Sequence, residues 1–135
     1  MLRITRDQRE KTGEPAFVER VVQHFHLYHL EVIHWMPEAE LRRRIRHGLE
    51  IGRSYGLTWE YSLTVFVAHM VRIHPEFHLQ PAIHHTLSDA AIPPDERINA
   101  LPATVTDEDW DEAYRRGDPE VYWRAHGAPL PGVRE

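Results

Sequence analysis

Apolar residues recur at helical spacing along the first part of the chain. Between residues 16 and 36 they fall at steps of three and four, which places their side chains on one face of an α-helix. The members of this stripe are Phe17, Val21, Phe25, Tyr28, Val32 and Trp35. We therefore expect one long helix over residues 16–36 with the stripe buried. Thr5 and Gln8 resemble a capping box that opens a short helix before it, and Gly13 and Pro15 should interrupt that short helix.

A second helix is expected over residues 37–54, because Pro37 suits a first turn and apolar residues again share one side. That side carries Leu41, Ile45, Leu49 and Tyr55. Gly48 and Gly52 fall in the middle of it, where missing side chains let another helix approach closely, either within the chain or across a dimer. Gly56 should then end the helix in the left-handed conformation.

A third helix is expected over residues 58–74, with Thr58 as its N-cap and Pro75 at its end. Its inward-facing residues are Trp59, Leu63, Phe66, Val67, Met70 and Ile73. Two short helices, each opened by a proline, should follow near residues 82–90 and 95–101.

The last two helices have explicit start and stop signals. Thr106 and Asp109 form a capping box for the first of them, and Asp118 with Pro119 begins the second. The glycines that should end these two helices are Gly117 and Gly127.

These signals leave no alternating apolar run of strand length, so we predict an all-α fold. It should be a compact helical bundle of three principal helices plus several short C-terminal helices. A chain of 135 residues suits a single domain. We expect that domain over residues 1–127, with a core bundle at 1–103, C-terminal helices at 104–127 packed on it, and a flexible tail at 128–135.

Composition indicates a soluble protein. The chain has no cysteine, which fits a reducing compartment and excludes disulfides and thiolate metal sites. Its N-terminus lacks the apolar core of a signal peptide, and no stretch reaches the roughly 18 apolar residues of a membrane span. We therefore expect a cytoplasmic protein without a membrane partner.

Histidine is unusually frequent, with 11 residues in the chain. Four of them fall in the segment HFHLYHLEVIH. On one continuous helix, His24 and His34 point in different directions, and only His26 and His29, three residues apart, converge on one spot. Two imidazoles do not make a closed zinc site, and the HExxH signature is absent. We therefore predict no metal site in this segment.

A second group of histidines surrounds a turn in the segment HPEFHLQPAIHH. Imidazole and carboxylate ligands suit zinc, copper, nickel or iron. The candidate ligands are His74, His78, His84 and His85, with Glu76 beside them. The alternative is that His74 is a hydrogen-bonded core residue and that the others are solvated. Our expectation is no metal and no cofactor, with zinc or another transition metal at these histidines as the alternative.

Charge divides the chain into a basic and an acidic part. The first 56 residues carry 10 Lys+Arg and 8 Asp+Glu, and the remainder carries 6 and 13. Arg42, Arg43, Arg44 and Arg46 spread over one side of the second helix, as on a solvated face. They also suit an acidic partner or the acidic C-terminal third of the chain itself. The overall negative charge argues against nucleic acid.

Four large aromatic residues lie near the C-terminus, at Trp110, Tyr114, Tyr122 and Trp123. Aromatic residues of this kind anchor protein interfaces. They also attach helices to a core, and we favour that role for Trp110 and Tyr114. The pattern does not decide between the two roles for Tyr122 and Trp123.

The sequence contains no constellation that indicates catalysis. No serine stands in a GxSxG context, and no glycine-rich turn follows a strand. The carboxylates of TDEDWDE lie at a helix start, where acidic residues are expected from the helix dipole. We therefore expect a protein that is not an enzyme.

Three segments, FVERVVQHFHLYH, LRRRIRHGLEIGRSYGLT and FVAHMVRIHPEF, resemble a family of small all-helical bacterial proteins of unassigned function. The resemblance covers about the first hundred residues and includes the opening MLRITRDQ. It implies a setting among type VI secretion and related toxin-delivery systems, but it supplies no catalytic residues. The histidines at this chain's first helix depart from the family pattern, which has a Phe-Pro pair in place of His29 and Leu30.

Together these observations predict a protein-protein interaction module: an adaptor, chaperone or immunity protein of a bacterial secretion or toxin system. Its partner would be a secreted effector, a toxin or a secretion component, with a homodimer as a further option. The candidate partner-binding residues are Arg42, Arg43, Arg46, Trp110, Tyr114, Tyr122 and Trp123. The alternative function is a histidine-ligated metal-binding protein.

Overall fold

The computed structural model describes residues 13–126, and all regular secondary structure within that range is helical. The α-helices are α1 (Glu14–Tyr28), α2 (Leu30–Ile33), α3 (Glu38–Ser54), α4 (Glu60–Arg72), α5 (Pro81–Leu87), α6 (Arg97–Thr104), α7 (Asp107–Tyr114) and α8 (Pro119–Ala125). Two 3₁₀ turns, Phe77–Leu79 and Pro94–Glu96, join them. The predicted all-α bundle is confirmed. The predicted capping box at Thr5 and Gln8, the stop at Gly127 and the tail at 128–135 lie outside the described residues.

The first long helix is shorter than predicted. It ends at Tyr28, and His29 leaves the helical conformation with φ −135° and ψ 27° before the single turn of α2. The break shifts by one position which residues face the core. Ile33 and Met36 are therefore buried, whereas the continuous helix predicted burial of Val32 and Trp35. The predicted stripe is therefore only partly buried: Phe17, Val21 and Phe25 lie in the core, whereas Tyr28 and Trp35 are 67% and 55% exposed.

Close packing of α3 on α4 explains the two glycines of α3. A Cβ atom on Gly48 would lie 2.9 Å from Val67 Cγ2, and one on Gly52 would lie 3.0 Å from Leu63 Cδ2. The predicted close approach is therefore made within the chain. Gly56 follows α3 with φ 92°, as predicted for a left-handed residue after a helix.

The N-terminus of α4 is capped from a distance. Asp95 Oδ1 accepts hydrogen bonds of 2.8 Å from the backbone N–H groups of both Thr58 and Trp59, and the Thr58 hydroxyl donates to Oδ2 at 2.7 Å. The prediction that Thr58 caps this helix is wrong, because the side chain of Asp95 takes that position. Trp59 is 55% exposed, against the prediction that it faces inward.

The C-terminal helices complete the core. The capping box of Thr106 and Asp109 opens α7 as predicted, and Asp118 accepts from the Glu120 N–H at the start of α8. Helix α8 places Trp123 in the core at 2% exposure, and α5 packs against α6. The ends of α5 and α6 differ by a few residues from the predicted ranges 82–90 and 95–101. In the described part of the chain, no helix is long and apolar enough to cross a membrane.

Candidate functional site

The break at His29 brings two histidines of the opening segment together. His24 lies in the last turns of α1, and His29 turns back so that the two Nε2 atoms are 3.2 Å apart. The prediction that only His26 and His29 converge is therefore wrong, because it assumed a continuous helix. His26 instead lies 2.6 Å from Glu38 Oε2, and His34 is exposed after α2.

Arg72, at the end of α4, fixes the tautomer of His29. Its Nη1 atom lies 3.3 Å from His29 Nδ1 and 2.8 Å from Glu31 Oε2. Because a guanidinium only donates, Nδ1 accepts, and the proton of a neutral His29 sits on Nε2 beside His24. Burial, then the neighbouring His24 and Arg72, lower the pKa of His29, so the ring is neutral at pH 7.

The histidine pair lines a groove of about 390 Å³ between α1, α4 and α7. The floor of the groove is apolar. It is formed by Val65 and Ala68 of α4 and by Ile73, the residue that follows α4. Tyr28 and Tyr114 also line it and are 67% and 53% exposed, so their rings stand at its rim. This groove is the candidate functional site.

His69 forms part of the groove wall and belongs largely to the core. Its ring packs edge-on against Phe77 and Trp110, with ring centroids 5.3 Å and 5.7 Å away. Burial lowers the pKa of His69 to about 4, which keeps the ring uncharged at neutral pH. The wall at His69 is therefore aromatic and neutral, and among the described residues that line the groove Arg72 is the only Lys, Arg, Asp or Glu.

The group of histidines that offered the alternative metal site is used inside the fold. His74 is 2% exposed; its Nδ1 accepts from the Glu76 N–H at 3.0 Å, and its Nε2 donates to the Gly117 carbonyl at 3.1 Å. Burial is the main cause that lowers the pKa of His74. The expectation of a hydrogen-bonded core residue at His74 is confirmed.

His78 and His84 meet at a tyrosine. The Tyr55 hydroxyl lies 2.8 Å from His78 Nδ1 and 3.0 Å from His84 Nδ1. Burial raises the pKa of Tyr55 to about 12 and lowers that of His78 to about 4, so Tyr55 and His78 are uncharged at pH 7. The expectation that His78 is solvated is wrong, since it is 7% exposed.

His85 is exposed on α5, and the four candidate ligands do not converge on one point. Among residues 13–126 there is no group of three or more His, Cys, Asp or Glu side chains able to hold a metal ion. The alternative site at His74, His78, His84 and His85 is therefore not supported.

The arginines of α3 are paired within the molecule. Arg42 makes two hydrogen bonds to Glu19, at 2.7 and 2.9 Å, and Arg43 donates to Glu40 at 2.6 Å. Arg46 is exposed, and its role in binding a partner stays a prediction. Two of the three arginines predicted to bind a partner, Arg42 and Arg43, thus make their contacts within the molecule.

Arg44 departs from the predicted solvated face. It is 5% exposed and donates to Glu40 at 2.7 Å and to Glu120 at 2.8 Å. The contact with Glu120 matches the prediction that these arginines suit the acidic C-terminal third of the chain.

The four C-terminal aromatic residues have different environments. Trp123 lies in the core, so it offers no surface to a partner, and the prediction that it binds one is wrong. Tyr122 is half-buried, and its hydroxyl lies 2.6 Å from His47 Nε2. Trp110 packs partly buried against the core, in the role that we favoured for it. Tyr114, by contrast, is exposed at the groove rim, against the core role that we favoured.

Comparison with known proteins gives no match that bears on the groove. No family model matches the chain, and neither a curated protein nor a solved structure matches it.

Proposed function

We propose that this protein is a non-enzymatic interaction module whose groove receives an amphipathic helical segment of another protein. One observation carries the proposal: large apolar side chains that line the groove, or that adjoin its lining residues in the sequence, are exposed. Leu27, Tyr28, Leu30 and Tyr114 are each more than half exposed. Grouped exposed apolar residues of this kind mark sites of protein contact, and aromatic residues supply much of the binding energy there.

The shape of the groove favours a helical segment with one or two large apolar side chains. A volume of about 390 Å³ accommodates such side chains, and the floor of Val65, Ala68 and Ile73 is apolar enough to receive them. A helix laid in an apolar groove binds through residues that recur at steps of three and four along one face.

Charge favours an acidic residue beside these apolar anchors. The side chains that line the groove include the Arg72 guanidinium and three imidazoles, and none of them is a carboxylate. Besides His29, Arg72 contacts the exposed Glu31, and its own side chain is 37% exposed. A surface ion pair of this kind contributes about 0–1 kcal/mol, so a carboxylate of the partner displaces Glu31 at little cost.

The polar groups inside the fold support a role without catalysis. Tyr55, with a pKa raised to about 12, is a poor nucleophile or base at neutral pH, and His74 is hydrogen-bonded through both ring nitrogens. We propose that the protein acts in the cytoplasm as an adaptor, chaperone or immunity protein of a bacterial secretion or toxin system, the setting implied by the sequence resemblance. Its partner would then be an effector, a toxin or a secretion component.

A photoreactive phenylalanine at position 114 tests the groove directly in the native cell. We expect it to cross-link to one protein, through a segment with apolar anchors and an acidic residue. The matched control is the same residue at position 61, because Tyr61 is 61% exposed on α4 and does not line the groove. Equal cross-linking from the two positions would contradict the proposal.

Substitutions provide the second arm of this experiment. Capture of the cross-linked partner should be lost in Tyr28→Ala/Tyr114→Ala and retained in Trp59→Ala/Tyr61→Ala, which removes two aromatic rings of similar exposure elsewhere. Retained capture in the groove variant, with helicity unchanged by circular dichroism, would rule out this groove as the binding surface.

A further inference from the structure

We propose that His24 and His29 share one added proton that displaces Arg72 from His29, so that the groove binds an acidic partner segment more tightly as the pH falls. The effect on the partner rests on the proposed function, whereas the proton uptake is a property of the free protein. Two contacts carry the inference: the Nε2 atoms of the two histidines are 3.2 Å apart, and Arg72 Nη1 lies 3.3 Å from His29 Nδ1.

The two contacts place every ring proton of the neutral pair. Arg72 donates to His29 Nδ1, so His29 carries its proton on Nε2 and donates it to His24 Nε2. His24 therefore carries its own proton on Nδ1. The two ring nitrogens without a proton, Nδ1 of His29 and Nε2 of His24, each already accept a hydrogen bond. A further proton must replace one of these two bonds.

The hydrogen bond between the two rings is the stronger one once the proton is added. A proton on either ring gives an imidazolium that donates to the neutral imidazole, and a charge-assisted hydrogen bond is roughly twice as strong as a neutral one. In both arrangements of the shared proton, His29 Nδ1 carries a hydrogen. That hydrogen faces the N–H of Arg72, and two donors cannot bond to each other. Arg72 must therefore leave His29 when the pair takes up the proton.

The neighbouring groups leave proton uptake in the groove to this pair. Glu31 stays ionised, because its hydrogen bond to Arg72 is the main cause that lowers its pKa. Burial lowers the pKa of His69 to about 4, so that ring stays neutral. Burial, followed by His24 and Arg72, lowers the pKa of His29, and Glu31 opposes this shift. The titratable and charged groups beside the pair or in the same groove are Tyr28 of α1, Glu31 of α2, His69 and Arg72 of α4, and Tyr114 of α7.

A carboxylate of the partner favours the protonated form of the pair. Arg72 lines the groove together with both histidines, so a carboxylate there can accept from the released guanidinium and also faces the added positive charge. Carboxylates are ordinarily ionised well below pH 6, so the partner keeps its charge while the pair gains one. By linkage, the coupling that tightens the partner on protonation also raises the pKa of His29 on binding.

The decisive experiment is a pH titration of the ring ¹⁵N resonances in the free, untagged full chain. At about pH 8, His29 should carry its proton on Nε2 and His24 on Nδ1. As the pH falls, both rings should shift in one shared step in which His29 Nδ1 becomes protonated. A proton on His24 Nε2 at about pH 8, or separate steps for the two rings, would overturn the proposal.

The resonances of Arg72 test its displacement. The guanidinium signals should move in the same step as the two rings, and unchanged signals would overturn the proposal. Without this competing donor and cation, Arg72→Met should raise the midpoint of the shared step by at least about 0.5 pH. The matched control is Arg46→Met, an exposed arginine that does not line the groove and should leave the midpoint unchanged.

The effect on binding is measured with the partner that cross-links to position 114. Its capture should be at least about threefold greater at about pH 6 than at about pH 7.5, and His24→Gln/His29→Gln should lose this rise. The control His34→Gln/His85→Gln removes two exposed histidines and should keep it. A rise retained in His24→Gln/His29→Gln, or lost in both variants, would overturn the proposal. Absence of any cross-linked protein would instead refute the proposed function, while the ring titration still decides whether the proton displaces Arg72.

Discussion

Arg44 of α3 pairs with Glu120 of α8 across 76 positions of the sequence, with Nη2 and Oε1 2.8 Å apart. The same guanidinium lies over the rings of Trp35 and Trp123, 5.5 Å and 5.0 Å from their centroids. A planar, delocalised cation is suited to both contacts at once. One buried arginine thus joins the C-terminal helix to the second long helix of the bundle.

Removing this guanidinium should destabilise the fold. We expect Arg44→Met to lower the free energy of unfolding by about 2–3 kcal/mol, because Glu40 loses a partner near the core and two indole rings lose their cation. Urea denaturation followed by circular dichroism measures the change. Arg46→Met, on the exposed side of the same helix, is the control and should change stability by less than about 0.5 kcal/mol. A similar loss in both variants would show that the buried contacts of Arg44 are not the cause.

Adding one methyl group to Gly48 should destabilise the interface between α3 and α4. The new Cβ would lie 2.9 Å from Val67 Cγ2, and overpacking of this kind costs about 1–3 kcal/mol. The measurement is again the free energy of unfolding. If the contact with Val67 is the cause, Gly48→Ala should cost much less in a Val67→Ala background. Additive costs in the double variant would contradict the packing explanation.

Acid should destabilise the protein through its buried histidines. The pKa of His78 is about 4 in the folded chain and about 6.5 when unfolded, so between these values only the unfolded state takes up the proton. Its stabilising contribution is therefore complete above pH 6.5 and is lost as the pH falls towards 4. Linkage gives a loss of about 2 kcal/mol from this one group between pH 7 and pH 5.

Two histidine variants isolate that contribution. His78→Asn keeps a polar group near the Tyr55 hydroxyl but does not titrate, so it should reduce the loss of stability over this pH range by about 2 kcal/mol. His85→Asn removes an exposed imidazole and should leave the pH dependence unchanged. Parallel pH profiles for His78→Asn and the unsubstituted protein would contradict the buried, neutral state of His78.

Local patterns in the sequence predicted the local features of the fold. Gly48 and Gly52 revealed a close helix contact because a missing side chain has its effect where it stands in the helix. The capping box of Thr106 and Asp109 was equally predictable, since all of its hydrogen bonds lie within one turn.

Features that depend on distant residues were not predictable in this way. The break at His29 has neither proline nor glycine beside it, and it becomes understandable only when Ile33 and Met36 are seen in the core. Because the pairing of His24 with His29 follows from that break, a continuous helical wheel could not reveal it. The Asp95 cap on α4 likewise requires a contact across more than 30 positions.

The groove was missed for the same reason. His24, His69 and Tyr114 come from three helices, and no spacing along the chain connects them. Tyr114 was identified by its residue type, but its position at the rim depends on how α7 packs on the rest of the fold.

Hydroxyl-radical footprinting of the free protein and of its complex with the cross-linked partner tests the central claim most directly. The four reporters are exposed aromatic residues: Tyr28 and Tyr114 at the groove, and Trp59 and Tyr61 away from it. If the partner binds in the groove, oxidation of Tyr28 and Tyr114 should fall on complex formation while Trp59 and Tyr61 react as before. Unchanged oxidation of Tyr28 and Tyr114, with protection of Trp59 and Tyr61, would contradict it.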